Sequence, residues 1–115
     1  MKSEIHQPVP ELPVKDVEKA QAFYRDELGF SIAWIYPDKS IGAVSKGETA
    51  IFFRKQAGTI INTHWIFADD IDEVYEEIKL SRIKIIEPIE NKSWVMRQFT
   101  IEDIDGNRFI FHHDI

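Results

Sequence analysis

The chain has 115 residues, 43% of them apolar and 30% charged, which is enough for one core and too few for two. A formal charge of −6 argues against general nucleic-acid binding, because phosphate contacts need clustered Lys and Arg. The absence of cysteine excludes thiolate catalysis and Cys-based zinc sites. No stretch is long enough to span a bilayer, and Met1 to His6 lacks the apolar core of a secretion signal, so a cytoplasmic protein is expected.

In chain order, Gln7 to Val14 reads as the first strand. Asp16 caps a helix carrying Ala20, Phe23, Tyr24 and Leu28 on one face, and Gly29 suits its left-handed end. Phe30 to Tyr36 reads as a strand, Pro37 to Lys39 as a turn. Ile41 to Ser45 and Thr49 to Arg54 then form a hairpin across Lys46, Gly47 and Glu48. Lys55 to Thr59 is the expected hinge.

The same order then repeats. Ile61 to Ala68 reads as a strand, and Asp70 with Glu73 three residues on has the form of a capping box. That helix should run through Val74, Tyr75 and Ile78 and end near Ser81 and Arg82. Ile83 to Ile86 is a strand stopped by Pro88, and Asn91 to Trp94 a loop. Arg97 to Glu102 and Arg108 to His113 are strands joined by a tight turn at Asp105 and Gly106. The expectation is an α+β fold of two tandem βαβββ modules, about residues 5–55 and 60–115, in a single domain.

Counting from the two caps assigns the sheet faces. Leu12, Val14, Ile66 and Ala68 should lie beneath the helices, with Ile51 and Phe53. Val9, Glu11, Pro13, Phe52, Arg54, Thr63, Trp65 and Phe67 then fall on the other face. That second face carries tryptophan beside glutamate, so it is neither a plain core nor a plain solvent face.

Three segments carry a resemblance. Pro13 to Phe30 (PVKDVEKAQAFYRDELGF), Phe67 to Ile78 (FADDIDEVYEEI) and Trp94 to Asn107 (WVMRQFTIEDIDGN) together resemble the vicinal oxygen chelate superfamily, which includes glyoxalases, dioxygenases and bleomycin resistance proteins. The last segment is similar to bleomycin-resistance-type members, with Val95 in place of a usual glycine and Ile104 in place of a usual proline. The resemblance implies paired mixed sheets forming a cleft, two-fold homodimers and a small-molecule ligand.

It also implies where a metal would be held: seven residues before each capping Asp, and late in each half. Those positions are Val9, Phe52, Thr63 and Ile110, of which only the threonine offers even a weak ligand. The metal site of the family's enzymes is therefore expected to be absent, with no cofactor and no catalytic residue assigned. His6, His64, His112 and His113 remain as components of an improvised site with Glu11 or Glu102. Glu11 reads either as a general base or as a carboxylate that binds ligand or faces solvent.

The candidate ligand-binding residues implied by the resemblance are Glu11, Trp34, Phe52, Trp65, Phe67, Trp94 and Arg97. Trp65 and Phe67 would stack on a flat ligand, Trp34 and Trp94 would wall the cleft, and Glu11 would meet its polar end. Trp34 and Tyr36 read equally as core or dimer-interface residues. Asp38, Glu102 and Asp103 are expected near the mouth, where they would favour a cationic ligand; Arg54 and Arg97 would favour an anionic one. The leading expectation is a metal-free binding protein resembling bleomycin resistance proteins. A glyoxalase-like lyase or isomerase, or a dioxygenase with unusual ligands, is the alternative, and an interaction module a third reading.

Overall fold

The computed structural model describes residues 2–4, 6–58 and 60–115. Ile5, the expected start of the first half, and Thr59, the end of the expected hinge, lie outside the described residues. Eight strands and two helices follow in the order β1 (Glu11–Val14), α1 (Val17–Leu28), β2 (Ser31–Ile35), β3 (Ile41–Lys46), β4 (Thr49–Lys55), β5 (Thr63–Phe67), α2 (Ile71–Lys79), β6 (Lys84–Asn91), β7 (Met96–Glu102) and β8 (Arg108–Asp114). They form two four-stranded mixed sheets, ordered β1-β4-β3-β2 and β5-β8-β7-β6. Each is one βαβββ module, closed by a parallel pairing of its first and last strands. The fold class is α+β, as the repeat implies.

Both helices begin where their caps place them. The Asp16 side chain accepts from the Lys19 amide and the Asp70 side chain from the Glu73 amide, satisfying donors that a helix start leaves unpaired. α1 stops at Gly29, whose φ of 73° is left-handed, and its amide donates to the Tyr24 carbonyl. α2 lacks such a residue and ends at a right-handed Leu80, next to the expected Ser81 and Arg82.

The helix-side faces hold the core: Leu12, Val14, Ile51 and Phe53 in the first module, Ile71, Ile78, Phe99, Ile101 and Phe109 in the second. Tyr24 sits between them, meeting Phe53 at 4.8 Å and Phe109 at 6.2 Å between ring centroids. Gly42 lets α1 approach β3, because a Cβ there would stand 2.7 Å from Val17 Cγ1 and 2.8 Å from Gln21 Nε2.

Three expected strands are corrected. β1 begins at Glu11 rather than Gln7, and β5 at Thr63 rather than Ile61. Before β1, Pro8 and Pro10 have no amide to donate to the ladder, although the Pro10 carbonyl still accepts from Phe52. β6 continues through Pro88 to Asn91 instead of stopping before it. It is an edge strand whose register shifts between Glu87 and Glu90, and that is where a sheet tolerates proline.

Candidate ligand-binding face

Strand pairing places the predicted residues in rows across the outer faces of the sheets. In the first sheet Glu11 pairs with Phe52, Phe52 with Ala43, and Ala43 with Trp34. These four side chains therefore share one face, where the Trp34 ring meets Phe52 at 5.1 Å and Tyr36 at 5.4 Å. Trp34 owes its position to a register shift after Ile32 and to Gln21. That buried amide donates to the carbonyls of Trp34 (2.8 Å) and Ala43 (3.1 Å).

In the second sheet Trp65 pairs with Ile110, Ile110 with Thr100, and Thr100 with Glu87. The next row runs Phe67, His112, Gln98 and Glu90. Trp65 and Phe67 are 53% and 58% exposed, while the polar Gln98 and Thr100 between the strands are only 6% and 3% exposed. Both of these polar side chains have a partner: Trp94 Nε1 donates to Gln98 Oε1 at 2.9 Å, and Thr100 Oγ1 donates to Glu87 Oε1 at 3.2 Å. Trp94 stands in the turn before β7 with the Lys92 ammonium 5.7 Å from its ring centre, and Lys92 also pairs with Glu90.

Two aromatic groups thus result, one per sheet: Trp34, Tyr36 and Phe52 beside Glu11, and Trp65 and Phe67 around His112, with Trp94 on the neighbouring Gln98. Among the described residues every extensive contact between elements lies inside one module, so one chain does not bring the two groups together.

Arg97 is corrected. It alternates with Gln98 on β7 and so points to the helix side, where it grips Asp72 in the first turn of α2 through Nε at 3.2 Å and Nη2 at 2.8 Å. That guanidinium holds the Asp72 carboxyl below its ordinary pKa. Arg54 does share the face of Glu11, but it is bound to it, Nη2 to Oε1 at 2.8 Å, so this carboxylate is not free for a cation.

The acidic mouth is corrected as well. Asp103 is buried at the junction between modules, accepting from Tyr24 Oη at 2.7 Å and from Asn107 Nδ2 at 3.0 Å. Asp38 is spent on Ser40 within its turn, and Glu102 faces Arg108 at 3.5 Å.

The metal-site positions do not fit a metal. Phe52 and Ile110 fill the centres of their rows with carbon, Val9 adds more, and Thr63 offers one hydroxyl. An improvised site fares no better: among the described residues no three His, Asp or Glu side chains converge. His112 shares the face of Phe67, whereas His64 lies on the helix side against Phe109 at 5.6 Å, bonded to Asn62 Oδ1. Burial lowers the His64 pKa.

Sequence reasoning did not assign Gln98 or Thr100 to this face. The signal was present, since both alternate with Phe99 and Ile101 on β7, but it needed the register of β7 against β8 to be read.

Residues 5–111 match the sequence model of the Glyoxalase/Bleomycin resistance protein/Dioxygenase superfamily. No curated protein sequence matches the chain. Among solved structures, a bleomycin resistance determinant encoded on the transposon Tn5 superposes with a TM-score of 0.83 at 22% identity, covering 96% of this chain and 98% of that one. A bleomycin-binding protein from Streptomyces verticillus, complexed with copper(II)-bleomycin, gives 0.80 at 22% identity over 95% and 96%. A glyoxalase-related enzyme from Clostridium phytofermentans gives 0.80 at 18% identity over 99% and 98%. With a match over nearly its whole length, the chain belongs to the glyoxalase/bleomycin resistance protein/dioxygenase superfamily.

Proposed function

We propose that this protein binds a flat, partly apolar small molecule without metal, holding it in a cleft that a second copy of the chain completes. The observation that carries the reading is the pair Trp65 and Phe67, more than half exposed above a floor of satisfied polar groups. Full burial of one such ring removes ~150–250 Å² from water. At ~25 cal/mol per Å² that is several kcal/mol for each ring, which a stacked ligand would recover.

The shape supports a partner copy. The radius of gyration is 15.0 Å, where a compact chain of this length has about 13 Å, and the extents are 45 × 43 × 24 Å. The chain is a slab with aromatic residues on the outer faces of both sheets. Two-fold pairing would set the Trp34 group of one copy against the Trp65 group of the other, forming two equivalent clefts. The net charge of −6 favours a ligand with a cationic end, although Glu11 is already engaged by Arg54. The superfamily's bleomycin-binding members make bleomycin the first ligand to try.

All three tryptophans are exposed and would border the proposed cleft, so their emission would report it directly. Titration with metal-free bleomycin is expected to quench it, and Trp65→Ala to weaken binding roughly tenfold. Unchanged emission at millimolar ligand would discard bleomycin, and Trp65→Ala with unaltered affinity would discard the cleft. Sedimentation is expected to give a dimer at micromolar concentration; a monomer at hundreds of micromolar would contradict the shared cleft.

A further inference from the structure

Among the described strand residues, His112 is the one imidazole on the face of Trp65 and Phe67, and its surroundings are unusual. Its ring meets Trp65 at 5.4 Å and Phe67 at 5.8 Å, with interplanar angles of 73° and 77°. Both aromatic rings therefore stand edge-on or face-on to the imidazole rather than stacking with it. Trp65 and Phe67 are two residues apart on β5, an advance of ~6.6 Å. Two rings held parallel at that spacing would admit one flat ring in contact at ~3.5 Å on either side. A ring seated there would turn its rim toward His112.

The two nitrogens of that imidazole are not equivalent. Nδ1 is buried with no hydrogen-bond partner among the described residues, whereas Nε2 is not so buried, bonds to none of them, and is left to the proposed cleft. A buried N–H with no acceptor is the rarer and worse arrangement, so the proton belongs on Nε2. The imidazole then presents a donor to whatever lies between the two rings, and among the described residues no protein group competes for it.

We propose that His112 is a specificity-determining residue: its Nε2–H selects planar ligands that carry a hydrogen-bond acceptor, a ring nitrogen or carbonyl, on the rim inserted between Trp65 and Phe67. The assignment rests on the cleft reading above and adds to it the class of ligand. Shape alone would admit any flat apolar ring. The donor discriminates against those with no acceptor, because filling the slot with a hydrocarbon strips Nε2–H of its water and gives nothing back.

A matched pair of probes tests this: 6-(aminomethyl)quinoline and 2-(aminomethyl)naphthalene, equal in shape and tail and different in one ring nitrogen. Binding is followed by the NMR shift of the Trp65 indole N–H. The wild-type protein is expected to prefer the quinoline by about fivefold, the worth of one net hydrogen bond. His112→Phe, which keeps a ring against Trp65 and Phe67, should bind both probes equally. A preference that persists in His112→Phe, or equal binding by the wild type, overturns the role of His112 and leaves the cleft standing. No binding of either probe overturns the cleft reading and this inference together. Independently of any ligand, ¹⁵N NMR of the wild-type protein should show the His112 proton on Nε2; a proton on Nδ1 overturns the inference.

Discussion

Val95 has a φ of 65° in the turn between β6 and β7, a left-handed backbone that suits glycine and strains a β-branched side chain. The resemblance already marks the spot, since its motif implies glycine there. Val95 is also exposed, so its side chain recovers little by packing. Relief of ~1–2 kcal/mol of strain outweighs the ~0.5–1 kcal/mol of extra unfolded-chain entropy that glycine brings. Val95→Gly is therefore expected to stabilise the fold by about 0.5–1 kcal/mol in urea unfolding; a lower midpoint would show that no strain is stored there. His64 makes the second residue-scale prediction. Burial depresses its folded pKa below the unfolded value of about 6.5. The unfolded chain then binds a proton that the folded one refuses, so this contribution is present above the unfolded pKa and is lost as pH falls from it toward the folded pKa. Stability should decline from pH 7 toward pH 5, and His64→Phe should flatten that slope. An identical slope in the variant would assign it to other groups.

At the scale of elements, caps and alternation made most of the fold legible. Asp16 and Asp70 located both helices, and alternation from them sorted Leu12 and Val14 from Glu11, and Ile66 from Trp65. What stayed hidden depended on pairing. Pro88 reads locally as a stop, and only the edge position of β6 shows why the strand continues. Arg97 is one residue from Gln98 on a strand, and a one-residue error in register turns a guanidinium from one face to the other. Gln21 is a further case, a polar residue within α1 that looks solvated until β2 and β3 are laid beneath it. Its amide holds the carbonyls at the irregularity in β2, and with them the direction of Trp34. Gln21→Leu would leave both acceptors buried without that donor, at a cost of about 1–3 kcal/mol. Because the site depends on that contact, the variant should also shift Trp34 emission, isolated in a Trp65→Phe, Trp94→Phe background. Loss of stability with unchanged emission would make Gln21 a packing residue only.

For the whole molecule, the question is what makes two modules one protein. Their strands scarcely touch, yet the turn from Asp103 to Asn107 reaches across. Asp103 accepts from Tyr24 Oη, from the Asn107 side chain, and from the amides of Asp105 and Asn107. Asn107 in turn donates to the Pro13 carbonyl, and Asp105 accepts from the Lys15 amide. The acidic run that looked like the rim of a binding site is thus the clasp between halves. Burial first, and then the Asp103 carboxylate, hold the Tyr24 phenol well above its ordinary pKa, so it remains a donor at any working pH. Tyr24→Phe keeps the aromatic contacts with Phe53 and Phe109 and deletes this one charge-assisted bond, which should cost about 1.5–3 kcal/mol. Asp103→Asn should cost as much or more, and the double variant clearly less than the sum, because both changes break the same contact. Additive losses would mean that Tyr24 and Asp103 stabilise their own modules separately. The coupling matters beyond stability, since a two-fold pair can align the Trp34 group of one chain with the Trp65 group of another only if each chain fixes the angle between its own sheets. Tyr24→Phe is therefore expected to weaken the proposed dimer in sedimentation as well, although its side chain lies far inside the core.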